Sequence, residues 1–406
     1  MQLLSHNMVI GNTENPLAHI ALTLSDHIAG QIEKIDETCR KFQPDRSDKC
    51  RQYDHMTIDK PKDQNRLGTR RFNVTPDRPL TMLQACPAYS PTPLQDMAPL
   101  AQALGIARLW AKDETARMGL GSFKSLGGAF AVAQMICDVA GTNDLNNDKT
   151  RSAAAGMTFI TASAGNHGLS VAAGARIFGA ASVIVLATAV PEAFADRIRA
   201  AGGRVVRAQG SYEDSVSKAL SLAEEHDWLL LSDGSWEGNT ERPALVMEGY
   251  TVLAEECRQA FEQSDIWPTH VLLQAGVGGM AAAVSAHIRE TWPTQPTIII
   301  VEPDAAPCLF ESVAADKMVQ VEGPVSNMGR LDCKDASLIA FEALRQDANC
   351  FVTVSDAEAE EATKLLAAHG LETTPSGAAA LAALVKNRPD PESRCLIVVS
   401  EGPEVT

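Results

Sequence analysis

The chain has 406 residues, 45% of them hydrophobic and 21% charged, which predicts a globular protein of two or three domain-sized units with ample core material. A formal net charge of −16 argues against a nucleic-acid partner and an anionic membrane surface, while leaving room for a locally positive site that takes a small anion. The nine cysteines are odd in number, with no pair at CxxC spacing, which speaks against a disulfide framework or a metal site and for a reducing, cytoplasmic setting. No run approaches about 18 apolar residues, so no membrane span is expected, and residues 1–6 lack the basic head and apolar body of a signal peptide.

In chain order, Leu17, Ile20, Leu24, Ile28, Ile32 and Ile35 recur every three or four residues and mark one face of an amphipathic helix, to be buried against the body or another subunit. Residues 40–71 are polar, with Pro44 and Pro61, and read as a mobile or loosely packed connector. Tyr89-Ser90-Pro91-Thr92-Pro93-Leu94 is an extended entry to the next part, because proline holds its predecessor out of the helical region. A helix to Leu104 and a strand over 107–111 follow. Next comes Gly119-Leu120-Gly121-Ser122-Phe123-Lys124-Ser125-Leu126-Gly127-Gly128, where one lysine stands between flexible glycines and an apolar run, 129–132, continued at helical spacing by Met135, Ile136 and Val139. Two readings apply to Lys124. Its stem can snorkel a surface charge to water, or burial can lower its pKa so that the neutral amine attacks an aldehyde.

From there strands and helices alternate. Strands are expected at 157–162, 182–187, 204–207, 228–232, 270–274, 297–301, 351–354 and 395–399, with helices at 169–178, 191–201 and 212–225 and helical patterns between the later strands. Aromatics make up only 5%, which suits aliphatic, doubly buried parallel strands. The alternation predicts an α/β protein with mostly parallel sheets in two doubly wound domains, with ligands at the carboxyl ends of strands.

Three strand ends attract attention. Gly276-Val277-Gly278-Gly279-Met280 follows a strand and opens a helix, so backbone amides and the helix N-terminus converge as a phosphate cup or, more plainly, as a tight turn. It is neither a dinucleotide fingerprint nor a Walker loop, since Ala281 stands where a glycine or lysine is needed. In Ser163-Ala164-Gly165-Asn166-His167-Gly168, the Asn166 amide can donate to an oxygen anion, and Ser163 with the turn amides can hold a carboxylate. His167 is either a base or a fastening for the turn. Ser400, before Glu401 and Gly402, offers a neutral hydroxyl to a ring nitrogen or simply ends a strand.

These motifs, in this order, make residues 91–402 resemble the fold-type II pyridoxal-phosphate enzymes, the group of threonine dehydratase, serine racemase and the tryptophan synthase β subunit. Within the group the chain is most similar to the diaminopropionate ammonia-lyases. The residues that carry this are Lys112-Asp113-Glu114 ahead of the lysine stretch, Asp233-Gly234-Ser235-Trp236-Glu237-Gly238, Met247-Glu248-Gly249-Tyr250, and the segment 268–278. The resemblance implies a large cofactor domain over 72–155 plus 235–406, a small domain over 156–234, an N-terminal extension over 1–71, and a homodimer. It implies that Lys124 holds pyridoxal 5'-phosphate covalently beside Phe123 and that Asn166 bonds the cofactor's phenolic oxygen. Gly276, Val277, Gly278, Gly279 and Met280 take the phosphate, and Ser400 meets the pyridine nitrogen. Ser163, Ala164, Gly165 and His167 face a small amino-acid substrate.

Asp233 matches the aspartate that acts on the L isomer, while Ala164 replaces a second acid with a side chain that has no proton to exchange. The expected reaction is therefore α,β-elimination of ammonia from a small L-amino acid, 2,3-diaminopropionate first, giving pyruvate and ammonia. The alternatives are a serine, threonine or 3-hydroxyaspartate dehydratase, a β-replacement synthase, and a non-catalytic binding protein on the same fold.

Overall fold

The computed structural model describes residues 70–163, 165–210 and 212–403. The helix expected over 17–35, the 40–69 part of the connector and Ala164 lie outside the described residues. The connector's last residues are not loose. Arg70 is half-buried, with its side chain only 5% exposed, and grips Asp347 with two bonds of 2.9 and 2.7 Å while also pairing with Glu290.

Among the described residues, ten strands form two sheets: β1 (Leu94–Asp96), β2 (Arg108–Asp113), β3 (Thr158–Ala162), β4 (Ala181–Leu186), β5 (Arg204–Arg207), β6 (Leu229–Leu230), β7 (His270–Gln274), β8 (Thr297–Pro303), β9 (Cys350–Val354) and β10 (Arg394–Val399). The six-stranded sheet runs β1-β2-β10-β7-β8-β9 and is parallel except for β1, with Ile397 opposite Leu272 and Leu272 opposite Ile299. The four-stranded sheet runs β5-β4-β3-β6, all parallel, with Ile160 opposite Val183. The inner strands are apolar on both faces because helices cover both sides, so they show no two-residue alternation.

The expected 228–232 strand shortens to β6. Leu231 still donates to Ile160 O at 2.8 Å, but its own carbonyl is taken by a histidine ring, and the chain leaves the sheet there.

Four helices frame the strand ends: α1 (Lys124–Ala140), α2 (Asn166–Phe178), α3 (Glu241–Ser264) and α4 (Gly279–Thr291). Helix α1 is the wall shared by both sheets. Its Leu126, Ala131, Val132 and Ile136 belong to the same buried cluster as Phe159 and Ile184 of the small sheet and Val271, Leu273 and Leu396 of the large one. Burying a side chain such as Leu126 stabilises by roughly 1.5–3 kcal/mol. Val139, expected on this apolar face, is 65% exposed, although Ile136 and Cys137 just before it are buried.

The glycine pair 127–128, expected to be flexible, is instead a packing device. A Cβ on Gly127 would lie 2.4 Å from Tyr250 Cε1, and one on Gly249 would lie 2.7 Å from Gly127 Cα, so α1 and α3 touch backbone to backbone. The helix stops at Gly141, in the left-handed conformation that a C-terminal cap favours.

Candidate active site

Lys124 is the first residue of α1, and the loop before it is held from two sides. On one side is a buried charge cluster. Arg117 bonds Glu114 and Glu256 at 2.7 Å each, and Lys112 bonds Glu256 at 2.5 Å, with Arg117 and Glu114 fully buried. On the other side is the end of β10. Glu114 N donates to Val399 O at 2.9 Å, Phe123 N to Ser400 O at 3.1 Å, and Gly402 N to Gly121 O at 3.0 Å. Met118, a non-glycine residue at φ 51°, turns the chain between these anchors.

So placed, Lys124 Nζ donates to Asp233 Oδ2 at 2.5 Å, from the loop that follows β6. Each side chain is about a fifth exposed, at 20% and 17%. The expectation that burial leaves this amine neutral is corrected. Burial does work to lower the Lys124 pKa, but the Asp233 carboxylate outweighs it and holds the ammonium above the ordinary lysine range. Burial likewise works to raise the Asp233 pKa, and Lys124 overrides it, keeping the carboxylate ionised and below its usual range. The pair is a carboxylate and an ammonium sharing one short bond.

His167 lies in the first turn of α2. Its Nε2 donates to Leu231 O at 2.9 Å, and its buried Nδ1 has no hydrogen-bond partner. Burial, helped by Lys124 and against the pull of Asp233, lowers its pKa and favours the neutral ring. This bond ties α2 to the loop that carries Asp233, which is the fastening reading of His167. Ser163 Oγ accepts from Gly165 N at 3.1 Å and Gly168 N at 2.9 Å, closing the turn at the N-terminus of α2. Its hydroxyl therefore shapes the turn.

The glycine loop runs from β7 into α4. A Cβ on Gly276 would meet Cys333 Sγ at 2.9 Å and Arg330 O at 3.0 Å; one on Gly278, at φ 98°, would meet Leu309 Cδ1 at 2.9 Å. Both positions require glycine, because neighbouring side chains and backbone already fill the space a Cβ would take. Val277 contacts the Asp233 loop, where a Cβ on Gly234 would lie 3.8 Å from it, and Met280 is buried in the core. Thus the loop and the Lys124–Asp233 pair are neighbours. An anionic group fits this cradle: it has a helix N-terminus, crowded glycines and a lysine beside it.

Asn166 Nδ2 donates to the Glu401 carboxylate, which also accepts from Thr374 Oγ1 at 2.6 Å and lies 3.6 Å from Arg330 Nε. Arg330 stacks on Phe194 with 4.6 Å to the ring centroid. Arg330 and Glu401, with Asn327, Thr374 and Ser376, line a polar cavity of about 250 Å³. Asp332, two residues on from Arg330, accepts from Lys334 at 2.6 Å.

Sequence reasoning missed Glu401, which sits one residue past Ser400 on a strand end already singled out. It also missed Tyr250, inside a quoted motif but with no spacing that marks it. Phe123 packs edge-on against Tyr250 with centroids 4.9 Å apart, and Lys124 Nζ lies 5.4 Å from the Phe123 centroid.

Comparison with known proteins agrees with this geometry. The profile of the pyridoxal-phosphate dependent enzymes matches residues 85–401. Diaminopropionate ammonia-lyase of Escherichia coli strain K12 is 35% identical over 288 residues, 70% of this chain and 72% of the relative. The enzyme of the same name from Salmonella typhimurium is 34% identical over 294 residues, 70% and 73% of the two chains. A crystal structure of the Escherichia coli enzyme in complex with an aminoacrylate-PLP azomethine reaction intermediate superposes with a TM-score of 0.72 at 30% identity, covering 82% of this chain and 92% of that one.

Proposed function

The chain belongs to the pyridoxal-phosphate-dependent enzyme family, with pyridoxal phosphate as its cofactor, and from that premise we propose that it is an ammonia-lyase acting on 2,3-diaminopropionate in the L form, yielding pyruvate and ammonia. Pyridoxal phosphate, when bound, supplies an electron sink that acidifies the substrate's Cα–H and lets a β-substituent leave. The protein's part begins with Lys124, which carries the cofactor while Gly276, Val277, Gly278 and Gly279 take the phosphate on their amides. Asn166 and Ser400 orient the ring. The turn at 163–168 holds the substrate carboxylate, with Ser163 and His167 keeping its amides in place.

The observation that carries this reading is the 2.5 Å contact between Lys124 and Asp233 beside the glycine loop. Eliminating an amine needs one group to remove the Cα proton and another to deliver a proton to the departing nitrogen. A carboxylate and an ammonium in contact are those two groups. Selectivity for the L form rests on sequence alone, because Ala164 has nothing to offer a D-configured Cα–H. The strands of the two sheets suit a large domain over 72–155 plus 235–406 and a small one over 156–234. We place the protein in the cytoplasm as a homodimer.

Purified protein assayed for keto acid and ammonia on L- and D-2,3-diaminopropionate, serine, threonine and 3-hydroxyaspartate tests the proposal. The L-diamino acid should dominate. Preference for a hydroxy-amino acid would replace the reading with a dehydratase, and efficient turnover of the D isomer would remove the role given to position 164.

A further inference from the structure

Tyr250 stands on α3 behind Lys124, is 1% exposed, and its hydroxyl has no hydrogen-bond partner. Its ring cannot move away. Phe123 meets it edge-on at 4.9 Å, the backbone of Gly127 presses on one side, and Gly279, the first residue of α4, lies on the other, where a Cβ would be 3.7 Å from Cε2. The ring is thus wedged between the first turn of the lysine helix and the glycine loop; its hydroxyl makes no hydrogen bond of good geometry, yet Lys124 acts on it both as a charge and as a donor, and Asp233 as a charge. A buried hydroxyl without a partner is unfavourable and calls for a reason.

Resting on the lyase reading above, we propose that Tyr250 is a positioning residue for the Lys124 amine: its hydroxyl takes up that amine by hydrogen bond whenever Asp233 turns to the substrate. In the structure Asp233 occupies the ammonium. During turnover the carboxylate and the amine serve different atoms of the substrate and must part, and an amine released from its only anion needs another polar neighbour to stay over the glycine loop. A phenol suits both forms of the amine, accepting from an ammonium and donating to the lone pair of a free amine. Other titratable groups facing this point are His167 from α2, bonded to Leu231 O, Cys333 from the loop against Gly276, and Tyr212, whose phenol burial and Asp233 both push up. Burial, with Asp233 nearby, pushes the Cys333 thiol up to about 12, so it offers no anion near neutral pH.

The test is Tyr250→Phe in the purified holoenzyme, compared with the parent chain. Removing an unpartnered oxygen should leave the melting temperature equal or higher. The absorbance of the bound cofactor should titrate about one pH unit away from the parent value. Stripped protein should recapture pyridoxal phosphate more slowly, and kcat should fall about tenfold with KM little changed, as expected for a group that acts after binding. A variant with the parent titration midpoint, recapture rate and kcat overturns the proposal. So does a drop in melting temperature with an unchanged midpoint, which would assign the residue to packing. A parent protein that shows no chromophore fixed to Lys124 by borohydride overturns the lyase reading itself, and is seen before the variant is made.

Discussion

Replacing Asp233 by asparagine should move two observables in opposite directions. The side chain keeps its size and can still accept one hydrogen bond from Lys124, so the fold is preserved. What disappears is the negative charge 2.5 Å from the amine. Burial then acts on Lys124 without its main counterweight, and the amine pKa falls. A larger fraction of neutral amine reacts faster with an aldehyde, so stripped Asp233→Asn should capture pyridoxal phosphate faster than the parent below neutral pH. Turnover should suffer, because asparagine neither takes nor gives a proton. Loss of one general acid–base partner costs about 10²–10⁴ in rate, or about 3–5 kcal/mol at roughly 1.4 kcal/mol per tenfold. The assay pairs stopped-flow absorbance of cofactor capture with steady-state ammonia release. Near-normal turnover, or capture slower than the parent, would refute the assignment of the pair as the proton carriers.

Two other outcomes follow from groups outside that pair. Arg117→Met should destabilise the protein by about 3–5 kcal/mol in urea unfolding, because Glu114 and Glu256 would stay buried with only Lys112 to compensate; a loss below about 1 kcal/mol would show that water reaches the cluster. Glu302, fully buried at the end of β8, has its pKa raised to about 8 by burial, against the pull of the Leu309 and Phe310 amides at 2.8 and 2.7 Å. A carboxyl raised in the folded state contributes stability that is full below its ordinary value near 4.5 and is lost as pH climbs through about 8. Glu302→Gln should therefore match the parent near pH 5 and exceed it near pH 9 by on the order of 4 kcal/mol, and identical melting profiles across that range would contradict it.

How much of this could be read from the residues alone depends on the range of the forces involved. The strand–helix alternation was legible because apolar runs and their glycine punctuation are local. The glycine loop and the lysine stretch were legible for the same reason. The state of Lys124 was not, because its sign is set by a carboxylate 109 residues away. Helical spacing put Val139 on a buried face, yet it is exposed while Cys137 two residues earlier is buried, because burial depends on which neighbours reach each position. The glycines around Lys124 read as flexible, while Gly127 serves to let two helix backbones meet and Gly128 makes room for Ser170. Glu401 and Tyr250 have no periodic signature at all; each matters through partners brought from other elements.

The loop that presents Lys124 is clamped by the end of β10, through Glu114 to Val399, Phe123 to Ser400 and Gly121 to Gly402. During synthesis the lysine leaves the ribosome long before the strand that fixes it. A growing chain thus has the reactive amine but not its setting, which closes only once β10 has been made. Cofactor capture becomes a proofreading step for the whole polypeptide: a chain truncated before residue 399 should emerge colourless, whatever the state of its first three hundred residues.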